Sequence, residues 1–172
     1  MKKYFSFLAM AAMAACSLTS CSENDGEAPE AAITIADGIL VVNSGVDGSL
    51  TYYDYGTATA IQEVYRTVNG VSLGSTPNHA VVYGSKTYIV GSEEKTIFIA
   101  DRQTLKKVTN LKVEVNGEAA TPRQAVAAGG YVYVSTFSNA VIAIDTLTNT
   151  ISRQTLDCGY YSEGMTFDTG CL

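Results

Sequence analysis

Three aspartates in this chain each stand three residues before a threonine at the close of an apolar run: Asp54-Tyr-Gly-Thr57, Asp101-Arg-Gln-Thr104 and Asp145-Thr-Leu-Thr148. A carboxylate held that close to a hydroxyl could act as base and nucleophile. The spacing equally suits a turn, because an aspartate side chain accepts the backbone N–H two residues on and fixes a hairpin. The turn is the stronger reading. A second set is more promising for recognition: Asn78 with His79, Arg123 with Gln124, and Glu163 after Tyr160 and Tyr161. Tyrosine offers ring faces, and Asn, Gln and Arg offer hydrogen-bond donors, a combination that suits a large, flat, amide-decorated ligand. Phe137 joins them as an aromatic on a loop expected to lie beside these residues. As a metal ligand His79 lacks partners, because a protein metal site takes about three or four and no Cys or His cluster stands near it. One Glu and one His also fall short of the converging carboxylates or histidines that an enzyme site would need, and no nucleophile–base pair is legible by spacing. The expectation is a non-catalytic protein without cofactor or metal.

The elements that must position these residues follow from a repeat. TPNHAVVYGSKTYIVGSEEKTIFIADRQT, from Thr76, is echoed by TPRQAVAAGGYVYVSTFSNAVIAIDTLT, from Thr121. Pro77 falls on Pro122, Gly84 on Gly129 and Tyr88 on Tyr133, and one residue fewer near Lys95 brings Asp101 onto Asp145. A fainter copy, GILVVNSGVDGSLTYYDYGT, places Val41 on Tyr88, Leu50 on Ile97 and Asp54 on Asp101, so the unit recurs at 47 and then 44 residues. A period of about 40 to 50 residues built from short strands is the mark of a β-propeller blade. Within one unit residues 79–83, 87–90, 96–100 and 107–113 are rich in Val, Ile, Thr and Tyr and are separated by polar or Gly turns, which gives four strands. The unbroken apolar runs IFIA and VIAI predict middle strands covered on both faces. No segment beyond the N-terminal twenty residues shows a helical period.

The predicted fold is therefore all-β, a partial β-propeller of about three four-stranded antiparallel blades. A closed ring takes about four to eight blades, and Tyr160 to Phe167 reads as the first strand of a fourth. The chain is thus expected to be a fragment of a larger ring. Strand alternation sorts the loops onto two faces. Residues 43–49, 69–78, 91–95, 116–124 and 135–139 gather on one, the rim face, where a ligand is expected because loops on a rigid scaffold carry function. The aspartate turns and the Gly84 and Gly129 hairpins, which need positive φ, fall on the other.

The domain order predicted is a signal peptide over 1–20, a flexible acidic tether over 21–35 and blades over 36–172. Lys2 and Lys3 precede an apolar run too short to span a membrane comfortably. Leu18-Thr19-Ser20-Cys21 resembles the lipobox of bacterial lipoproteins, which makes Cys21 the expected lipidation site, with Cys16 a weaker rival. Membrane contact is then through lipid alone. The following SENDGEAPEAA carries no large apolar side chain and is too poor in such groups to fold. Without Lys2 and Lys3 the chain keeps nine basic residues against 17 acidic ones, a formal charge of −8. Phosphate binding needs clustered Lys and Arg, so nucleic acid is excluded as a partner. Cys158 and Cys171 are open to pairing outside the cytosol.

Tyr133-Val134-Ser135-Thr136, Tyr88-Ile89-Val90-Gly91 and Val41-Val42-Asn43-Ser44 resemble the YVTN repeat of YncE-like β-propellers. With the lipobox, the stretches LVVNSGVDGSLTYYD, VNGVSLGSTPNHAVVYG and SEGM are similar to the surface-lipoprotein branch of that family in gut bacteria. The resemblance covers about Ala36 to Phe167. It implies a seven-bladed parent, anchored in the outer membrane and exposed at the cell surface. For BtuG-type members it also implies capture of vitamin B12 and related cobamides, and docking on a TonB-dependent transporter. A surface module for proteins or glycans is the alternative. A propeller lactonase or dehydrogenase is a further one.

Overall fold

The computed structural model describes residues 32–168. The proposed signal, Cys16, Cys21, most of the tether and Cys171 lie outside the described residues. Within them, three antiparallel sheets follow one another along the chain. The first is β1 (Gly38–Asn43), β2 (Ser49–Asp54) and β3 (Thr59–Ile61); the second is β4 (Pro77–Tyr83), β5 (Lys86–Gly91), β6 (Thr96–Asp101) and β7 (Lys107–Lys112). After a two-stranded ribbon, β8 (Glu114–Val115) and β9 (Glu118–Ala119), the third sheet is β10 (Pro122–Ala128), β11 (Tyr131–Thr136), β12 (Ala140–Asp145) and β13 (Thr150–Leu156). Strand order is sequence order in every sheet.

Local chemistry sets the turns. Gly84 (φ 60) opens the two-residue hairpin between β4 and β5, and Gly129 and Gly130 (φ 57 and 86) make the equivalent loop between β10 and β11. Positive φ at both central residues, as at Gly129 and Gly130, or at the first alone, as at Gly84, matches strand twist, and glycine reaches it without strain. The aspartates do what a turn requires. Asp101 Oδ1 accepts from the Gln103 and Thr104 amides at 3.0 and 2.8 Å and from Thr104 Oγ1 at 2.8 Å. Asp145 Oδ1 accepts from the Leu147 and Thr148 amides at 2.8 and 3.0 Å, and Asp54 Oδ1 from the Thr57 amide at 2.8 Å. Hydrogen bonds from the threonine amide, first among the causes, hold all three carboxyls below the ordinary aspartate pKa.

The core lies between sheets. Tyr88, Val90, Ile97 and Ile99 pack on Val132, Val134, Ile142 and Ile144, all fully buried. On the other side of the second sheet, Ile89, Phe98 and Ala100 meet Leu50, Tyr52, Val64, Tyr65 and Leu73. The run IFIA is thus covered on both faces, as its lack of alternation predicts. Burying one such aliphatic side chain stabilises by about 1.5–3 kcal/mol, so interlocking of sheets accounts for the fold far more than any single turn.

Four features depart from the sequence reading. A helix, α1 (Val64–Asn69), follows β3. At six residues it is too short to persist alone or to display a period. Buried Val64 and Tyr65 and the Asn69 amide hold it: Nδ2 donates to Leu105 O at 2.9 Å and Oδ1 accepts from the Lys107 amide at 2.8 Å. Second, the first sheet has three strands. Gly38 opposes Asp54 as Lys86 opposes Asp101 and Tyr131 opposes Asp145, so β1 corresponds to β5 and β11. Among the described residues no strand lies on its far side, where β4 and β10 flank their partners. Third, Leu40, not Val41, takes the place of Tyr88, because the turn over residues 44–48 is one residue longer than that over 92–95. A slip of one residue exchanges faces, which leaves Ile39 and Val41 turned outward, 47% and 42% exposed. Fourth, residues 160–167 form no strand.

Candidate functional site

β4 and β10 lie side by side, and each starts with a register shift, between Pro77 and His79 and between Pro122 and Ala125. A bulge leaves residues out of the ladder and re-aims their side chains. Asn78 is the bulged residue of β4, and Arg123 and Gln124 are those of β10.

Arg123 is the hub. Its Nε and Nη2 donate to Glu163 Oε2 at 3.0 and 2.8 Å. The Asn78 amide, with Oδ1 turned toward Arg123, accepts from Nη1 and Nη2 at 2.7 and 3.1 Å. Nη1 also reaches Ser92 Oγ at 3.5 Å, and that buried hydroxyl donates to the Pro122 carbonyl at 2.6 Å. The guanidinium stands 4.6 Å from the centre of the Phe137 ring, a cation–π arrangement. Phe137 meets Tyr161 edge to face at 5.3 Å between centroids. The Arg123 side chain is 21% exposed and that of Glu163 60%, whereas Tyr160 and Tyr161 are 72% and 73% exposed.

The structure thus brings together Asn78, Arg123, Phe137, Tyr161 and Glu163. His79 and Gln124 lie beside them in the inter-sheet seam. His79 Nδ1 accepts the Ala125 amide at 3.3 Å, and burial lowers its pKa, which favours the neutral ring. Gln124 donates its backbone N–H to Ser135 Oγ at 3.2 Å. Tyr160 projects outward next to Tyr161. Among the described residues, no group of three or more His, Cys, Asp or Glu side chains is placed to hold a metal ion.

Sequence reasoning missed Ser92 and Asn139. Asn139, at φ 57, accepts from the Gly159 amide at 2.6 Å through Oδ1 and donates through Nδ2 to Asp157 Oδ1 at 3.2 Å. It thereby ties down the segment that delivers Tyr161 and Glu163. Its signal was an asparagine in a tight turn, where left-handed backbone favours that residue. Clefts open on the other face. One of about 480 Å³ is lined by Ala36, Gly84, Ser85, Asp101 and Arg102, and one of about 220 Å³ by Tyr83, Lys86, Tyr88 and Thr146. Lys86 bridges the second to the third sheet there, Nζ donating to the Thr146 carbonyl and to Asn149 Oδ1 at 2.5 and 2.7 Å.

Four-stranded antiparallel sheets in up-and-down order, packed face to face with their first strands adjacent, are the blades of a β-propeller; here they form an open series. The chain belongs to the family described as a domain of unknown function (DUF5074), which matches residues 37–153. No curated protein matches it in sequence. Among solved structures it is similar to a europium-containing methanol dehydrogenase, at 14% identity over 70% of this chain and 23% of that one, TM-score 0.49. It is also similar to BamB from Moraxella catarrhalis, at 14% identity over 70% and 35%, TM-score 0.47. Glutaminyl cyclase from Myxococcus xanthus follows, at 14% identity over 70% and 50%, TM-score 0.44. The chain spans half or less of the length of each.

Proposed function

We propose that the chain is a non-catalytic binding module whose rim captures a flat nutrient, a cobamide in the first instance, for a TonB-dependent transporter. The observation that carries this reading is the rim platform, where Arg123 lies over Phe137 with Tyr161 edge-on and Tyr160 exposed beside it. Ring faces give contact area at low entropic cost, and the Arg123 guanidinium, held by Glu163 and Asn78, keeps the platform in place. The lipobox at Cys21 and the resemblance to YncE-like and BtuG-type lipoproteins support anchoring by lipid at the outer face of the outer membrane. Titration calorimetry with cyanocobalamin tests it. Saturable heat at micromolar concentration is expected, weakened at least tenfold by Phe137→Ala or Tyr161→Ala. No heat removes the cobamide.

The second reading, a protein-interaction module of the cell surface, is favoured by the same two tyrosines, since exposed aromatics on a propeller rim are anchors for a protein partner. Capture of a transporter by the chain without any cobamide supports it.

A further inference from the structure

We infer that His79 is a proton-operated pin between β4 and β10, whose protonation frees the rim end of that seam and parts Asn78 from Arg123. The consequence for a ligand rests on the reading of the rim as a binding platform; the opening itself does not.

Hydrogen bonds hold β4 to β10 at both ends. On the turn face Tyr83 Oη accepts the Gly130 amide at 2.9 Å, and toward the rim His79 Nδ1 accepts the Ala125 amide at 3.3 Å. The two respond differently to acid. A phenol oxygen keeps its lone pairs, whereas an imidazole nitrogen that accepts a hydrogen bond loses that capacity on protonation, because both nitrogens of the cation are donors. The amide of Ala125, a residue 2% exposed, then faces a donor in place of an acceptor. A buried donor without a partner is costly, so the charged ring must turn out of the seam.

The bulges decide what the pin controls. His79 is the first ladder residue of β4 after Asn78, and Ala125 is that of β10 after Arg123 and Gln124. Side chains carried out of the ladder take their places from contacts across the seam: Asn78 with Arg123, and Arg123 in turn with Phe137 and Glu163. The scaffold behind them is held without the ring. Ser92 Oγ donates to the Pro122 carbonyl at 2.6 Å, and Pro77 and Pro122 stand opposite Gly91 and Thr136. Protonation therefore acts on the rim and leaves the sheets intact.

The strands packed on β4 bring few titratable groups. β1 has none; β5 brings Lys86 and Tyr88, opposite Tyr83 and Val81 in the turn-face half; β10 brings Arg123, engaged by Glu163; β4 itself adds Tyr83. Burial lowers the His79 pKa, so the ring is neutral at pH 7.5 and takes its proton in mild acid.

His79 is the only histidine in the chain, so its ring signals are unambiguous in an NMR titration of the full chain in detergent from pH 7.5 to 4.5. The Ala125 amide and the Arg123 Nε–H should shift with the midpoint of the ring, while the Gly130 amide stays. In His79→Gln, which keeps an acceptor but does not titrate, both shifts should vanish. A ring that stays neutral to pH 4.5, a ring that titrates while Ala125 and Arg123 stay, or shifts that persist in His79→Gln overturns the inference. Cyanocobalamin should bind at least fivefold more weakly below the midpoint than at pH 7.5, a ratio that falls toward one in His79→Gln. Equal affinity at the two pH values overturns the control of the rim by the ring. No binding at either, with the NMR transition present, supports the pin and removes the cobamide.

Discussion

The two faces of the blades are built on opposite plans. On the turn face, equivalent positions repeat the same chemistry: Asp54, Asp101 and Asp145 each bond to a threonine amide three residues on. On the rim face, equivalent positions differ, and Arg123 bonds to Asn78 of the neighbouring sheet and to Glu163 of the segment after β13. Where each blade must solve the same local problem, the sequence repeats. Where blades meet around a shared centre, difference is what allows pairing. The recognition proposed for this chain is placed on the second kind of surface.

Substitutions on the turn face can break this contrast. Gly84→Val places a β-branched residue at φ 60, where the added Cβ meets open space and backbone strain alone acts; a cost of about 1–3 kcal/mol is expected. Calorimetric melting checks it, and affinity for the proposed rim ligand should be unchanged. A loss of affinity would mean that the faces are coupled.

Asp101→Ala removes the acceptor for two amides and a hydroxyl and should cost about 0.5–2 kcal/mol. Its pH signature has a definite sign. Because the folded pKa lies below the unfolded one, the stabilisation is complete above about pH 4 and fades as pH falls through the folded value. The variant should therefore lose less stability than the parent on acidification in that range, as melting at stepped pH will show.

The smallest effect sharpens the rim side. His79 has a folded pKa below its unfolded value of about 6.5, so the unfolded chain binds more protons as pH drops through that value and stability declines. His79→Gln should flatten the change in melting temperature between pH 7.5 and 5.5. An unaltered slope would assign the change to other groups.

Much of the fold was legible because its signals are local. Strands came from runs of Val, Ile and Tyr, and hairpins from Gly84 and Gly129. The spread of burial across IFIA came from the absence of alternation. The one-residue slip at Leu40 and Val41 has a different origin: both are apolar, so composition could not show that the turn over 44–48 had lengthened. Helix α1 was invisible because tertiary contacts through Tyr65 and Asn69, not periodicity, hold it. At the site, residue types pointed to Asn78, Arg123 and Glu163. Their mutual bonding could not be read, since it joins positions 45 and 40 residues apart through a bulge and an irregular segment. Ser92 was missed for the same reason: a buried hydroxyl in a polar turn looks like any other serine.

The bulges that begin β4 and β10 have a consequence for how such a protein can change. A side chain carried on a bulge contributes nothing to the ladder beside it, so its identity can drift while the scaffold keeps its pairing. Positions 78 and 123 are therefore free of the strand pairing but tied to each other through the Asn78–Arg123 hydrogen bonds, so they can change together while the sheets behind them keep their register.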